Sequence, residues 1–264
     1  MTLEFCALAS GSRGNAVYVG SNGAGVLVDV GLSARSVALR MEAAGIEPAR
    51  VRAVVLTHEH RDHAAGVAAW CRRHRVPVWM TEGCLGGLES MLGTRALAGV
   101  EVRVFASGEP FEAAGLGFLP VRMSHDAADP VGFRVTDGRA RVGLATDLGL
   151  ATQWVREALR GMDLLYVESN HDEERLWNGP YPWPLKQRVR SRHGHLSNRA
   201  CSDLVADLLH PGLRCVVLGH LSQTNNEPRL AYAATRAVLG RAGAERDVTL
   251  LVARQDRPGR VVRL

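Results

Sequence analysis

The chain has 264 residues, of which 46% are hydrophobic and 22% charged, and its formal net charge is +5. This composition is typical of a well-packed globular protein, so extensive disorder is not expected, and the length fits one large α/β domain or two small ones. The longest apolar runs are only strand-sized and the first residues lack a basic region, so neither a membrane span nor a signal peptide is expected.

The first 80 residues predict strands that alternate with helices. Apolar or β-branched runs predict strands over residues 3–9, 16–19, 26–30, 51–56 and 76–80. Helices are predicted over residues 34–44, where Gly45 provides a stop, and over residues 62–73. No Walker loop and no GxGxxG follows a strand, so a nucleotide cofactor is not expected.

Strands dominate the middle of the chain, and helices return after it. Strands are predicted over residues 102–105, 117–121, 132–135 and 142–145, with a hairpin turn at Asp137-Gly138 between the last two. Residues 168–199, rich in Pro, Trp and charge, are predicted to form an irregular segment near the active site. The remaining elements are helices at 152–159, 197–209 and 231–239 and strands at 164–167, 215–218, 248–252 and 261–262. This order predicts a single α/β domain over residues 1–264 with a β core and outer helices.

The cysteines and the basic residues constrain the environment and the partner only weakly. Five cysteines, none in a CxxC pair, favour free thiols in a reducing cytoplasm over disulfides or a thiolate metal site. Lys186 is the only lysine, so the positive charge is almost entirely arginine. Arginine binds phosphate through two N–H groups, which would suit nucleic acid. A GC-rich genome or a thermophilic host would explain the same bias equally well.

A dense cluster of metal-ligand residues follows the apolar strand at residues 51–56. His58, His60, Asp62 and His63 lie within six residues, and imidazole and carboxylate are ligand types for Zn, Mn or Fe. The alternative, an exposed polar loop, rarely produces an HxHxDH pattern. The sequence therefore predicts a metal site at this strand end.

Three further residues have the same relation to a strand. His125, Asp147 and His220 are each the first strong ligand after an apolar strand. A lone histidine after a strand is usually incidental, but three such residues fit a site at one sheet edge. Asp147 has two oxygens and would be able to bridge two ions.

With these residues the chain resembles the metallo-β-lactamase superfamily over nearly its full length. The resemblance implies an α/β (α+β) fold, the four-layer αβ/βα sandwich, with two divalent ions at one edge of its two sheets. It assigns the ligands as His58, His60 and His125 for one ion, Asp62, His63 and His220 for the other, Asp147 as the bridge and Asp29 as the acidic residue behind them. Aspartate rather than cysteine at position 147 argues against the antibiotic-hydrolysing enzymes.

Other motifs narrow the resemblance. The runs around Glu168 (ESNHD) and His195 (GHLSN) resemble the paired motifs of the tRNA 3′-processing nucleases. Together with Asn225-Asn226-x-Pro228, the set is similar to the YycJ/WalJ (VicX) branch, bacterial cytoplasmic proteins associated with exonuclease activity on DNA. This resemblance implies a DNA exonuclease acting from the 5′ end, with DNA favoured over RNA as the partner.

The chemistry that follows is metal-assisted hydrolysis of a phosphodiester. Two ions, Zn or Mn with Fe as a further option, would hold a bridging hydroxide for in-line attack. His195 is the candidate general acid, with Glu168 fixing its tautomer, and His193 is the substitute. Asp62 counts as both a metal ligand and a catalytic residue.

Candidate substrate contacts come from two segments. Ser12, Arg13 and Asn15 lie in a Gly/Ser turn whose amides would be able to cradle an anion, although the turn would equally serve as a tight hairpin. Lys186 and Arg190 lie among aromatic residues in a basic segment, which suits a phosphate track with base stacking or, alternatively, a solvated amphipathic helix.

Two other functions stay open at this level. The same metals serve small-molecule hydrolases such as thioesterases, lactonases and cyclic phosphodiesterases. The third alternative is a regulatory binding protein that keeps a metal site without turnover, but binding alone does not need a complete ligand set. The Glu168 and His195 motifs favour the nuclease.

Overall fold

The computed structural model describes residues 2–264. Their strands form two seven-stranded sheets. The first sheet contains β1 (Glu4–Ala9), β2 (Ala16–Ser21), β3 (Ala24–Val28), β4 (Val51–Val55), β5 (Val78–Met80), β6 (Val102–Val104) and β14 (Val262–Arg263). The second contains β7 (Phe111–Ala113), β8 (Leu116–Arg122), β9 (Val131–Thr136), β10 (Arg141–Ala145), β11 (Leu164–Glu168), β12 (Cys215–Gly219) and β13 (Thr249–Val252).

Each sheet is mixed, with an antiparallel part and a parallel part. The first has the order β14-β1-β2-β3-β4-β5-β6 and is parallel from β3 to β6. The second has the order β13-β12-β11-β10-β9-β8-β7 and is parallel from β10 to β13. Parallel strands end at the same edge of a sheet, so the loops after them lie together.

Helices cover the outer face of each sheet. Those packed on the first sheet are α1 (Ala34–Ala43), α2 (Arg61–Ala64), α3 (Val67–His74) and α4 (Glu82–Leu92), and a 3₁₀ turn spans Pro48–Arg50. Those packed on the second are α5 (Gln153–Ala158), α8 (Asn198–Leu208) and α9 (Pro228–Arg241). Two short helices, α6 (Glu173–Asn178) and α7 (Trp183–Arg190), lie outside these packed clusters.

Alternation along the strands builds the layers. In β3, Val26 and Val28 belong to the cluster between the sheets, whereas Leu27 packs against the helices of the first sheet. In β11, Tyr166 faces the other sheet and Val167 faces the helices. Successive side chains point to opposite faces of a strand, so apolar runs become strands buried on both sides. The three hydrophobic clusters between the layers confirm the predicted four-layer α/β sandwich.

Several elements differ from the sequence-based prediction. Residues 168–199 contain helices α6 and α7 and the start of α8, so this segment is not irregular throughout. Helix α4 was not predicted because Gly86 and Gly87 interrupt its pattern. A Cβ at Gly87 would lie 2.6 Å from Glu59 Cγ, so glycine permits the approach of α4 to the loop that carries Glu59.

The predicted helix over residues 62–73 is divided into α2 and α3 at Gly66. A Cβ at Gly66 would lie 1.9 Å from the carbonyl oxygen of Leu32, which packs into the break. The Gly66 N–H donates to Val30 O instead of continuing the helix. The break keeps the loop after β3 in contact with the loop after β4.

The cysteines and the membrane prediction can be checked directly. All five cysteines are free and buried, as predicted, and burial raises the pKa of the Cys71 thiol to about 12. Within residues 2–264, no helix has both the length and the apolar character needed to cross a membrane.

Candidate metal centre

The predicted metal ligands meet at one edge of the two sheets. The run His58–His63 follows β4, His125 follows β8, Asp147 follows β10 and His220 follows β12. Their metal-binding atoms form overlapping groups, each with its atoms within 4.8 Å of one another. The sheets therefore bring residues separated by up to 162 positions into one cluster.

The first group consists of three imidazole rings. His58, His60 and His125 have ring centroids 4.7, 5.1 and 5.2 Å apart. His125 Nδ1 lies 3.2 Å from the carbonyl oxygen of Gly194, and His58 Nδ1 lies 2.9 Å from Thr57 Oγ1. A partner on Nδ1 leaves Nε2 of each ring for a metal.

The second group combines two imidazoles and a carboxylate. It is formed by Asp62, His63 and His220, and Asp62 Oδ2 lies 3.6 Å from Nε2 of both histidines. Each ring is held through Nδ1 by a buried carboxylate: His63 by Asp29 at 2.7 Å and His220 by Glu168 at 2.7 Å. The ring orientations are thus set by the protein before any metal binds.

Asp147 lies between the two groups. Its Oδ2 is 3.2 Å from His63 Nε2, and its Oδ1 is 3.4 Å from His220 Nδ1 and 3.9 Å from His125 Nε2. The residue is 3% exposed and has a φ of +59°, a left-handed conformation that a non-glycine residue adopts at an energetic cost. Asp29 and His220, with φ of +62° and +53°, share this strain. Three of the six non-glycine residues with positive φ within residues 2–264 thus lie at this site.

The charge balance of the cluster calls for cations. Burial would lower the pKa of His220, but Asp147, Asp62 and Glu168 raise it to about 10. Burial would raise the pKa of Asp147, but His220 and His63 hold it well below its ordinary value. The acidic side chains therefore retain protons on neighbouring imidazoles, and a divalent ion would replace those protons.

Unpartnered buried atoms identify where ions fit. His58 Nε2, His220 Nε2 and Asp147 Oδ2 are buried and have no hydrogen-bond partner of acceptable geometry among the described residues. Buried polar atoms are normally satisfied, so these three require another partner. Imidazole nitrogen and carboxylate oxygen are donors for Zn, Mn and Fe. The residues present therefore fit two divalent ions.

Asp29 organises the first loop. Its carboxylate accepts hydrogen bonds from Thr57 N and Thr57 Oγ1, at 2.9 and 2.8 Å, in addition to its contact with His63. It is 4% exposed and does not line the metal cavity. Asp29 therefore contacts a candidate ligand from outside the cavity, and its supporting role stays a prediction.

Glu168 and His195 lie beside the second group. Glu168 is fully buried, and its Oε1 lies 2.8 Å from His195 Nδ1 as well as 2.7 Å from His220 Nδ1. Its Oε2 accepts from the backbone N–H groups of Leu148 and Leu196. Burial would lower the pKa of His195, but Glu168 raises it overall. His195 lines the metal cavity, whereas the exposed His193 does not.

The cavity over the cluster has a volume of about 220 Å³. Besides ligands, its walls include Ser12, Tyr181 and Arg188. Arg188 lies in the second half of helix α7, and its guanidinium pairs with Asp126 at 2.5 Å. Helix α7 and the residues just before it therefore place a guanidinium group and an aromatic ring, that of Tyr181, in the wall of the cavity.

The predicted substrate contacts are distributed unevenly. Ser12 lines the cavity, and Arg13 is exposed beside it. Asn15 is buried, and its amide contacts Asp62 and His63, which is a positioning contact rather than the substrate contact that the sequence suggested.

The two predicted basic residues of α7 do not line this cavity. Lys186 Nζ donates to Trp177 O at 2.7 Å. The guanidinium of Arg190 lies 5.3 Å from the Trp177 ring centroid, beside a second cavity.

Sequence reasoning missed two residues that hold His220. Ser10 Oγ lies 2.6 Å from Tyr166 Oη and accepts from the backbone N–H of His220 at 2.6 Å. Asn170 Nδ2 donates to His220 O at 2.9 Å. Ser10 lies in a small-residue turn that resembles any loop, and Asn170 lies in the ESNHD run, whose pattern points to Glu168 and gives no sign of a contact with His220.

Comparison with known proteins agrees with this geometry. Residues 25–220 match the family model described as the beta-lactamase superfamily domain. The exodeoxyribonuclease YycJ of Bacillus anthracis is 32% identical over 92% of this chain and 91% of its own length. The exodeoxyribonuclease WalJ of Streptococcus pneumoniae serotype 2 (strain D39) is 30% identical over 87% of this chain and 85% of its own length.

Solved structures resemble the chain in fold alone. The metallo-beta-lactamase fold protein YhfI from Bacillus subtilis has a TM-score of 0.74 at 16% identity, covering 100% of this chain and 99% of its own. The short form of human tRNase Z has a TM-score of 0.63 at 15% identity, covering 99% and 98%. At such identities the similarity extends to the four-layer architecture and not to substrate.

Proposed function

Because this chain belongs to the metallo-β-lactamase superfamily and to its YycJ/WalJ branch, we propose that it is a DNA exonuclease that degrades its substrate from the 5′ end. It is a metal-dependent hydrolase of phosphodiester bonds, as the family and the names of its curated relatives support. The choice of DNA and of the 5′ end rests on those relatives. The observation that carries the proposal is the Glu168–His195 contact at the wall of the ligand cluster.

Two divalent ions, held by the residues that converge on Asp147, would activate water and stabilise charge on the phosphate oxygens. The first would be held by His58, His60 and His125, the second by Asp62, His63 and His220, with Asp147 between them. Asp29 and Glu168 orient the histidines of the second group from behind. The ligands are thus pre-arranged, which reduces the reorganisation needed during the reaction.

His195 acts on the leaving group. Its Nδ1 faces Glu168, so the other ring nitrogen is free to donate a proton into the cavity that the imidazole lines. A phosphodiester releases an alkoxide that needs a proton, and a positioned imidazole is suited to supply it. Glu168 keeps the ring in the tautomer that this role requires and favours its protonated form. Arg188, at the cavity mouth, is placed to contact a phosphate.

The test uses oligonucleotides labelled at the 5′ or the 3′ end, as DNA and as RNA, with protein loaded with Zn or Mn. We expect early release of the 5′ label from DNA as a mononucleotide. Asp147→Asn should abolish release, and Asp203→Asn, an exposed aspartate on α8, should leave it unchanged. Hydrolysis of a thioester without cleavage of any DNA would instead establish the small-molecule hydrolase.

A further inference from the structure

A second cavity adjoins the metal cavity across His195. It has a volume of about 540 Å³, against about 220 Å³ around the ligand cluster, and His195 lines both. Its other walls come from the loop after β11, helix α6 and the end of helix α7. The volume lies within the roughly 300–1,000 Å³ of sites that bind one small organic ligand. The proposed proton donor therefore stands between the reaction centre and a ligand-sized space.

A buried histidine in this second cavity has a ring nitrogen without a hydrogen-bond partner among the described residues. His171 is 2% exposed and lines the cavity, yet its Nδ1 makes no hydrogen bond with any described residue. The metal-centre geometry does not use this side chain, since it belongs to none of the ligand groups. Buried imidazole nitrogens are usually satisfied, so this wall of the cavity carries a polar group whose hydrogen-bonding capacity the protein leaves unused.

The rest of the lining suits a nucleoside. Trp177 is 51% exposed and presents an indole surface, which the guanidinium of Arg190 approaches at 5.3 Å. Glu173 and Glu174 contribute carboxylates that accept hydrogen bonds. Two carboxylates against one guanidinium disfavour an anion inside the cavity. An aromatic base with N–H donors, joined to a neutral sugar, matches these walls better than a phosphate does.

We propose that this second cavity binds the nucleoside of the leaving group, which is the terminal nucleoside of the DNA strand, and that its base stacks on the Trp177 ring. The proposal rests on the proposed nuclease function. Water loses one proton to solvent as its oxygen forms a bond to phosphorus, and the bond from phosphorus to the 3′ oxygen breaks. His195 supplies the proton that this oxygen gains and recovers one from solvent after release. The released product is the terminal nucleotide, and the shortened strand keeps the phosphate.

The position of the second cavity then accounts for the direction of attack. When the bond to the 3′ oxygen breaks, the leaving group is whatever lies on the 5′ side of the scissile phosphate. A space for one nucleoside on that side admits a 5′ terminal unit. Degradation from the 5′ end, one nucleotide at a time, follows from the size and position of this space.

The experiment measures kcat/KM for the first cut of two single-stranded DNA oligonucleotides. One lacks the base of its 5′ terminal unit, and the other lacks the base of its third unit. For the wild-type protein, we expect the terminal loss to lower kcat/KM roughly 5- to 150-fold relative to the internal loss, the range for removing one base–aromatic stack. Each ratio comes from one protein preparation, so a reduced active fraction cancels.

Three variants assign the effect to one residue. In Trp177→Ala the ratio should fall below about two-fold, because no stack is left to lose. Trp177→Phe should retain most of the wild-type ratio, since a ring remains. Trp154→Ala removes a tryptophan of similar exposure, on α5 and outside both cavities, and should keep the full ratio.

Two failures are distinguishable. If the wild type cuts neither oligonucleotide, the nuclease function is wrong and the subsite falls with it. If the wild type cuts both equally fast, or if Trp177→Ala keeps the wild-type ratio, the subsite is wrong while the nuclease function stands.

Discussion

Glu168→Gln is the substitution that most sharply probes how the ligand cluster is held. The carboxylate takes part in four contacts: Oε1 with His195 Nδ1 and His220 Nδ1, and Oε2 with the backbone N–H groups of Leu148 and Leu196. All four involve groups able to donate, and a carboxylate accepts at both oxygens. Glutamine has the same shape but only one accepting oxygen, so its NH₂ group must face two donors.

Either orientation of the amide loses two of the four contacts. If the NH₂ faces the backbone, the N–H groups of Leu148 and Leu196 lose their acceptor. If it faces the imidazoles, His195 and His220 lose their charged acceptor, and His220 can regain a contact only by moving its proton to Nε2, the atom that a metal needs. Hydrogen bonds to a charged group are worth roughly 1.5–3 kcal/mol each, so two contacts amount to roughly 3–6 kcal/mol.

The lost contacts should lower both the stability of the fold and the affinity of the site for metal. We expect Glu168→Gln to lower the affinity for the second ion roughly 10- to 100-fold, as for other residues that support a ligand from behind, and to lower kcat as well. Calorimetric metal titration and DNA hydrolysis measure the two effects. Glu89→Gln, on the exposed face of α4, is the matched control and should match the wild type. Wild-type metal affinity and turnover in Glu168→Gln would refute this assignment of the carboxylate.

Three further changes test other parts of the molecule. His195→Ala should retain both ions and lower kcat roughly 10²- to 10⁴-fold. His193→Ala is the control and should keep wild-type turnover. Loss of metal in His195→Ala would show that His195 is a ligand. Gly31→Ala places a Cβ 1.6 Å from Asp62 O and should lower the free energy of unfolding by roughly 1–3 kcal/mol or more. Gly86→Ala adds a Cβ to open space in α4 and should not destabilise the protein. Equal melting temperatures for the two variants would show that the contact at Gly31 does not limit stability. Burial lowers the pKa of His171 to about 4, below its value in an unfolded chain, so protonation favours unfolding and stability is lost as pH falls from about 6.5 to 4. In urea titrations of metal-free protein over that interval, the free energy of unfolding of His171→Gln should therefore fall by roughly 3 kcal/mol less than that of the wild type. Parallel pH profiles of the two proteins would count against a neutral buried His171.

Much of the architecture was predictable because the strands of both sheets are apolar runs that can be recognised from neighbouring residues alone. The seven proposed ligands were predictable for the same reason, because each follows a strand. Six of them follow strands of the parallel parts of the sheets, whose carboxyl ends meet at one edge, and His125 follows β8, which is antiparallel to its neighbours but runs in the same direction as β10. Helix α4 was missed because Gly86 and Gly87 look like breakers when the approach of Glu59 is unknown. Local pattern cannot report a glycine that serves a distant contact.

The contacts behind the ligands were less accessible to sequence reasoning. Glu168 was expected to serve His195, but the fold also places it on His220, from a strand 52 residues away. The Ser10–Tyr166 pair joins positions 156 residues apart. The first contact depends on the pairing of β11 with β12 and the second on how the two sheets pack, so composition and spacing along the chain do not reveal them.

In the proposed mechanism, two divalent ions in this cluster together perform the hydrolysis of DNA. The most direct measurement adds Zn or Mn in steps to metal-free protein and follows bound metal per chain together with release of 5′ nucleotides. We predict that nuclease activity appears with binding of the second ion, and that Asp62→Ala binds one ion and stays inactive. Full activity with one ion or none would contradict the account.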